Sequence, residues 1–354
     1  MKLAIISLKS KSSEMLAEAS KKYFSQVDSL SLSEIEVSVK DKAEVLYKGE
    51  PLKDYDCVYC RGSFKYVLLL RSITAALWGK TYLPLAPHSF TIGHDKFLTQ
   101  MGLQKLKVDM PKTYLAATTE KAKEIIKRIH YPAIIKLPSG THGKGVMFAD
   151  SIESASSILD TLEIFKQAYV IQEYVDTDGT DLRALVVNNK VIASMRRKSA
   201  KGDRRSNIHA GGKGESIILD YATQQLAIKS AKAIEADVCA VDILQGSSPL
   251  VIEVNTSPGF QGITEATNKN VVDVIAKFLH KKAEEFSSGV KKTQYSDIMK
   301  EINKPNSHNE IITNLDIKLG KIRLDTKITK LSGMNPEDEV VIKVNKGSIL
   351  IKKQ

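Results

Sequence analysis

Two apolar segments, VCAVDIL (238–244) and PLVIEVN (249–255), are separated only by the turn-like residues QGSS. A link this short suits an antiparallel hairpin, because parallel neighbours need a crossover of about a dozen residues or more. Glu253 and Asn255 lie two apart, so both side chains leave the same face of their strand. If the segments pair around QGSS, Asp242 sits across from Glu253. Two carboxylates and an amide oxygen then converge at one spot. Like charges directly opposite each other destabilise a sheet, so the arrangement calls for a compensating cation. Three hard oxygen ligands suit Mg²⁺, which is commonly held by one or two carboxylates together with substrate phosphates. The competing reading is scattered polar residues on the solvent face of a half-exposed hairpin.

Short apolar runs recur along the chain with helical patterns between them. LAIISL (3–8) and DCVYCR (56–61) read as strands, residues 13–24 and KYVLLLRSITAALW (65–78) as helices. This alternation predicts an α/β domain. YPAIIKL (131–137), AYVIQEYV, DLRALVV and KVIASM continue as strands, and YATQQLAIKSAKAIEA (221–236) and VVDVIAKFLHKKAEEF (271–286) as helices. Residues 287–308 lose apolar content and read as a linker. KIRL, EVVIKV and SILIKK, with the short helical stretch KITKLSG, then predict a small β-rich module. With 354 residues, two or three domains are expected at roughly 150 residues each.

Composition narrows the class. Lys and Arg total 52 against 41 Asp and Glu, a formal charge of +11 that favours an anionic partner. A chain with 42% hydrophobic and 26% charged residues folds rather than staying disordered. Its apolar runs fall far short of the roughly 18 residues needed to span a bilayer, so no membrane partner is expected. No signal peptide is read at the N-terminus. Three cysteines make no disulfide framework, which points to the reducing cytoplasm.

Upstream of the carboxylates, Lys136 ends a strand just before the glycine-rich PSGTHGKGV (138–146). Gly140, Gly143 and Gly145 let backbone N–H groups approach anionic oxygens, as a phosphate nest requires. The segment matches neither the Walker A pattern nor G-x-G-x-x-G, and taken alone it is equally a hairpin with no ligand. MRRKSAKGDRRSNIHAGG (195–212) sets Arg196, Arg197, Lys198, Lys201, Arg204 and Arg205 against only Asp203. Such a run is a solvated loop, a nucleic-acid patch, or a source of charge for a transferring phosphoryl group. Its place between the glycine-rich turn and the carboxylates favours the last. Cys57, Cys60 and Cys239 read as core thiols, His88 and His94 as surface or capping residues, and His209 as a hydrogen-bonding residue. Arg61 either faces a substrate cleft or pairs with a neighbouring carboxylate.

In order along the chain, Lys136, GTHGKGV, QEYV, DLR, RRSNIHAGG, VDIL and EVNTSPGFQGI resemble the ATP-grasp ligases, specifically the RimK-type α-L-glutamate ligases. The resemblance covers roughly residues 1–286. It implies a mixed α/β and α+β protein: a pre-ATP-grasp α/β domain (1–94), a two-lobed ATP-grasp domain (95–286), the linker (287–308) and the small module (309–354). It also implies that Lys96 and Lys136 hold ATP phosphates, with Gly140, Gly143 and Gly145 covering them. Gln172, Glu173, Tyr174 and Val175 would form the hinge that grips adenine, with Asp181 near the nucleotide. Arg205, Ser206 and Asn207 would meet the phosphates, with Arg183 and Arg205 as catalytic groups. Asp242, Glu253 and Asn255 would hold two Mg²⁺ or Mn²⁺ ions. Ser257, Pro258 and Gly259 follow the family pattern, whereas Ala210 stands where RimK-type enzymes commonly carry Arg.

The implied activity is ATP-dependent amide-bond formation through an acylphosphate, adding L-glutamate to a protein or small-molecule amine acceptor. Related amino-acid-biosynthesis or cofactor ligases share these motifs, and a nucleotide-sensing, nucleic-acid-binding regulator is the alternative from another class. Residues 315–353 resemble a SpoVT/AbrB-type swapped-hairpin module. That implies a homo-oligomer, dimer or tetramer, with nucleic-acid binding the less favoured role because Glu337, Asp338 and Glu339 interrupt the positive charge.

Overall fold

β1 (Lys2–Ser7) is the apolar run at the N-terminus, and every residue in it but Lys2 is buried. Its chain then turns into α1 (Lys11–Ser20), where the Ser10 hydroxyl caps the helix by accepting from the Ser13 amide. That cap starts the helix two residues ahead of the expected 13–24, and Lys21 closes it at Ser20. β2 (Gln26–Ser31) follows, then a small antiparallel sheet of β3 (Ile35–Val39), β4 (Ala43–Tyr47) and β5 (Glu50–Pro51). β6 (Cys57–Cys60) returns to the first sheet, whose order is β2-β1-β6 with both neighbours parallel to β1. α2 (Val67–Leu77), α3 (Pro87–His94) and α4 (Lys96–Lys105) come next. Asp95 separates α3 from α4 and caps the latter, accepting from the Phe97 and Leu98 amides.

The structure is a computed structural model that describes residues 1–140, 145–198 and 213–302, and in the C-terminal segment 316–318, 321–324, 328, 330, 332–335, 337–345 and 348–353. The chain forms two compact units, Met1–Val290 and Lys291–Gln354.

Within the first unit, β7 (Thr113–Tyr114), α5 (Thr119–Ile126), β8 (Ala133–Lys136), β9 (Val146–Ala149), α6 (Ile152–Ile164) and β10 (Val170–Glu173) build one lobe. Its antiparallel sheet runs β7-β10-β8-β9. Ala122, Ile126, Ile135, Leu159 and Ile171 give this lobe a core of its own. A second antiparallel sheet, β13-β12-β11-β14-β15, comprises β11 (Thr180–Val187), β12 (Lys190–Lys198), β13 (Lys213–Ser216), β14 (Val238–Gln245) and β15 (Pro249–Asn255), with α7 (Tyr221–Ala233) inserted before β14. Its core is continuous with that of the N-terminal sheet, from Leu3 and Ile5 through Val241 and Val254 to Phe260. α8 (Gln261–Thr267) and α9 (Val271–Ile302), which belongs to this unit up to Val290, complete its helices.

One expectation is corrected here. Residues 287–302, read as part of a linker, continue α9. Loss of apolar residues does not by itself stop a helix. FSSGVKKTQYSDIMKEI contains no proline, and the first breaker downstream is Pro305. The second unit contains β16 (Asp316–Lys318) paired with β17 (Lys321–Arg323), and β18 (Val340–Asn345) paired with β19 (Ser348–Lys353), both antiparallel. Ile328, Lys330 and Ser332 within KITKLSG are helical. No helix among the described residues is long and apolar enough to cross a membrane.

Candidate active site

Strand register assembles the polar residues. β14 and β15 pair so that Asp242 lies opposite Glu253 and Ala240 opposite Asn255, with a register shift just after Asp242. On the other side of β14, Asp242 faces Arg183 of β11, and Asp181, two residues earlier on β11, faces Arg197 of β12. Cross-strand partners share a face, so Arg183, Asp242 and Glu253 form a row, with Asp181, Arg197 and Asn255 beside it.

Asp242 is 3% exposed and receives two N–H bonds from Arg183, Nε to Oδ1 at 2.8 Å and Nη2 to Oδ2 at 2.7 Å. Arg197 Nη2 stands 2.9 Å from the same Oδ2, and Asn255 Nδ2 donates to it at 3.3 Å. Arg197 also forks onto Asp181, with Nε to Oδ1 at 2.6 Å and Nη2 to Oδ2 at 2.5 Å. Burial pushes the Asp242 carboxyl up, but the two guanidiniums outweigh it and hold the group down at about 2. The cation that compensates the facing carboxylates is therefore supplied on the Asp242 side by arginine, where the sequence argument invoked a metal alone. Arg197, grouped by sequence with a basic run expected to serve phosphoryl transfer, is a buried strand residue that pairs with Asp181 and Asp242.

Glu253 is different. Burial first, and then the Asp242 charge, push its carboxyl up, while Lys96, Arg183 and Lys136 pull the other way. No described residue gives it a hydrogen bond or ion pair. The Asn255 amide, having turned its Nδ2 to Asp242, leaves its Oδ1 available, and Asp242 Oδ1 carries a single donor. A carboxylate without a protein partner beside two further oxygens fits a divalent cation. No cluster of three or more His, Cys, Asp or Glu side chains exists among the described residues. A metal here would thus depend on Glu253, Asp242, Asn255 and ligands from outside the protein.

The cations lie opposite. Lys136, at the end of β8, donates from Nζ to Gln172 Oε1 at 2.5 Å, and Gln172 is itself anchored by Nε2 to Thr113 Oγ1 at 2.8 Å. Burial, then the nearby Lys96 charge, lower the Lys136 ammonium to about 8, against the opposing pull of Glu253. Lys96 opens α4 and reaches the Gly140 carbonyl at 3.4 Å. Gly145 has φ +78° and its Cα faces Leu137, where a Cβ would stand 3.0 Å from Leu137 Cγ. A side chain there would be strained twice over.

These groups line one cavity of about 560 Å³. Lys96, Lys136, Gly140, Gln172, Glu173, Tyr174, Val175, Asp181, Arg183, Asp242, Glu253 and Asn255 all contribute to its wall. The Glu173 amide is already bonded to the Lys112 carbonyl, and its carboxylate accepts from Tyr114 Oη at 3.1 Å. The Gln172 side chain positions Lys136. Of the expected hinge, Tyr174 and Val175 are the residues that follow the strand, and Tyr174 sits edge-on to Phe148 with centroids 6.1 Å apart. Gly143, Arg205, Ser206, Asn207, His209 and Ala210 lie outside the described residues.

Sequence reasoning missed the apolar slot between the sheets, formed by Ile134, Val146 and Phe148 on one side and Leu244 and Ile252 on the other. Ile134 stands two residues before Lys136 and Leu244 two after Asp242, so each shares a face with a site residue, and that spacing was the available signal. His94, expected at the surface, is half-buried in the cavity wall with Nε2 3.3 Å from Thr256 Oγ1. Burial, then the Lys96 charge, lower its imidazole to about 4. The three cysteines are buried in the core as expected, and burial raises the Cys60 thiol to about 12.

A fold of this kind with such a cavity defines the class, an ATP-grasp protein. Residues 93–279 match the RimK-like ATP-grasp domain. The chain is 34% identical over 293 residues to a probable alpha-L-glutamate ligase of a Marinomonas species, covering 80% of this chain and 96% of that one. It is 36% identical over 244 residues to the corresponding protein of Saccharophagus degradans, covering 68% and 81%. Among solved structures, the ATP-grasp ligase PsnB complexed with minimal precursor superposes with a TM-score of 0.63 at 16% identity, covering 79% of this chain and 98% of that one. A RimK domain ATP-grasp protein of Sphaerobacter thermophilus superposes at 0.62 with 17% identity, covering 78% and 99%. The chain belongs to the RimK-like ATP-grasp family and is an ADP-forming ligase.

Replacing Arg197 with Met removes one guanidinium shared by two buried carboxylates. Chemical denaturation of the Arg197→Met chain is expected to show a loss of about 3–5 kcal/mol. A loss below about 1 kcal/mol would mean that Arg183 alone satisfies Asp242 and that Asp181 finds solvent.

Proposed function

We propose that this ligase joins a carboxylate to an amine through an acylphosphate, adding L-glutamate to a protein or small-molecule amine acceptor. One observation carries the reading: Lys96, Lys136 and an apolar slot share a single cavity with Asp242, Glu253 and Asn255. An adenine ring suits the slot between the sheets, and a triphosphate suits the run from the lysines to Glu253. The glutamate assignment draws on the names of the relatives that share about a third of their residues with this chain.

Lys96 and Lys136 would hold the phosphates, with Gly140, Gly143 and Gly145 covering them and Arg205, Ser206 and Asn207 closing the far side. Tyr174 and Val175 would take the adenine edge, with Gln172 keeping Lys136 aimed. Asp242, Glu253 and Asn255 would hold two Mg²⁺ or Mn²⁺ ions, whose chemistry would be to neutralise charge on the nucleotide's phosphate oxygens. The substrate carboxylate attacks the γ-phosphorus, the bond to the β-phosphate oxygen breaks, and ADP leaves. The amine then attacks the acyl carbon and expels phosphate. Arg183 fixes Asp242 by two parallel bonds, so the ligand set is held before nucleotide arrives. Arg205 would take charge on the transferring group.

The domain reading goes with this assignment: 1–94 as the pre-ATP-grasp domain, 95–286 as the catalytic pair of lobes and 309–354 as a SpoVT/AbrB-like pairing module. Val344, Ile349 and Leu350 of the terminal hairpin are 70%, 48% and 50% exposed. A lone two-stranded hairpin is marginal in water, so pairing with a second copy would bury these residues.

Glu253→Gln should keep the fold by circular dichroism and abolish acceptor-dependent ADP release; unimpaired turnover would defeat the metal assignment. Lys136 gives a pH test with a definite sign. An anionic ligand favours the charged ammonium, and in the free protein that charge is lost as pH rises through about 8. ATP affinity measured by calorimetry should therefore fall between pH 7 and pH 9, by up to roughly tenfold per pH unit above 8. Lys136→Met should flatten that profile, and a wild-type affinity that does not change would remove Lys136 from the phosphate site. Light scattering should find the chain a dimer or larger at micromolar concentration and Val344→Glu/Leu350→Glu a monomer; a monomeric wild type would refute the pairing module.

A further inference from the structure

Arg61 is 4% exposed and lines the cavity wall, yet among the described residues no carboxylate lies within ion-pair distance of it. The contrast with Arg183 and Arg197 is direct, since both of those guanidiniums fork onto buried aspartates. Arg61 is held instead by neutral oxygens. Its Nε donates to Ser13 Oγ at 3.2 Å, Nη1 to Tyr59 Oη at 3.2 Å and Nη2 to the Pro258 carbonyl at 2.6 Å. The plane lies over the Phe260 ring at 4.4 Å and the Tyr59 ring at 5.4 Å. A guanidinium has five N–H donors and stays cationic in proteins. Three donors are occupied here, so two remain, and neutral oxygens and ring faces offset only part of the cost of burying the charge.

Its position in the fold carries the same message. Arg61 directly follows β6, and the parallel order β2-β1-β6 places the chain reversal between β1 and β6. In open parallel sheets, ligands bind outside the carboxyl ends of the strands at such a switch point. α1 begins there, just beyond the end of β1, and Ser13 of its first turn both receives the Arg61 bond and contacts Ser10 Oγ at 3.0 Å. The loop after β15 closes the arrangement, because Ser257 Oγ accepts from the Gly62 amide at 3.1 Å and Pro258 supplies the carbonyl. That loop leaves the strand at Asn255. Arg61 is thereby tied to the same strand end that presents Glu253 and Asn255.

We propose that Arg61, with the N-terminus of α1, is the recognition subsite for a non-reacting carboxylate of the ligase's amino-acid-type substrate. The proposal rests on the carboxylate–amine ligase reading and extends it by separating substrate recognition from the nucleotide site. An anionic planar fork of two oxygens matches the two remaining donors of the guanidinium. A free amino acid and a peptide ending in a carboxylate offer the same group, and the experiment separates them.

ADP release would be followed with glutamate, with each of its two monoamides, and with short peptides ending in either a carboxylate or a carboxamide. For the wild type, amidation at the recognised carboxylate should raise KM roughly 100-fold, in the amino-acid pair or in the peptide pair according to the source. Arg61→Gln should reduce that discrimination to within about threefold while ATP affinity by calorimetry stays at the wild-type value. Should Arg61→Gln fail to fold, Arg61→Lys, which keeps a charge but loses the fork, is expected to retain only about a tenth of the discrimination. Full discrimination in a folded Arg61 variant overturns the subsite, and so does wild-type turnover indifferent to every amidation. No ADP release from the wild type with any of these substrates, despite ATP binding, sinks the ligase reading and this subsite with it.

Discussion

The pairing of β14 with β15 places two carboxylates face to face, and the surrounding sheet is arranged around that electrostatic problem. Asp242 is resolved within the protein, by Arg183 on the adjacent β11 and Arg197 on β12 beyond it. Glu253 is left without a partner among the described residues, at the cavity wall. The asymmetry matters because a buried carboxylate matched by two guanidiniums holds its shape in the absence of ligand, whereas an unmatched one favours the arrival of a cation. One half of the hairpin serves as scaffold and the other as binding group.

The same division appears across the cavity. Gln172 holds Lys136 through its Oε1 while Thr113 anchors its Nε2, and Asp181 holds Arg197. Among the described residues Lys136 is paired only with a neutral amide, so its charge is open to an anion. Arg61 repeats the pattern beside the N-terminal sheet, with neutral oxygens fixing its direction and no acid among the described residues quenching it. Phosphate-type and carboxylate-type ligands would thus meet cations whose orientation is already set, so little ordering is left to be done on binding. The apolar slot between Ile134, Val146, Phe148, Leu244 and Ile252 supplies the uncharged part of the same surface.

Much of this was legible in the sequence because it depended on short-range rules. QGSS is too short for anything but a hairpin, which brings Asp242 close to Glu253, but their direct opposition depends on the register shift just after Asp242: counting outward from Gln245 and Pro249 alone would set Asp242 against Ile252. Lys136 stood at the end of an apolar run, and the strand β8 ends there. Other features were not legible. Arg197 belongs by sequence to a basic run read as a source of charge for a transferring group, because the eight residues after it are polar or small, and nothing local signals that β12 runs inside a sheet between β11 and β13. Residues 287–302 lose the apolar stripe that marks a packed helix yet contain no proline to end one, so local composition there does not signal that α9 continues.

The sequence by itself determined the strand and helix alternation, the hairpin and the set of residue types able to bind a metal-nucleotide. Those depend on backbone geometry and on neighbours a few residues apart. Tertiary structure alone decided which charges are spent on one another and which are left to face the cavity. Arg61 and Pro258 are 197 residues apart, and Arg183 and Asp242 are 59. Whether a buried arginine meets a carboxylate or a carbonyl oxygen is set by which strands become neighbours, and sequence spacing carries no record of that.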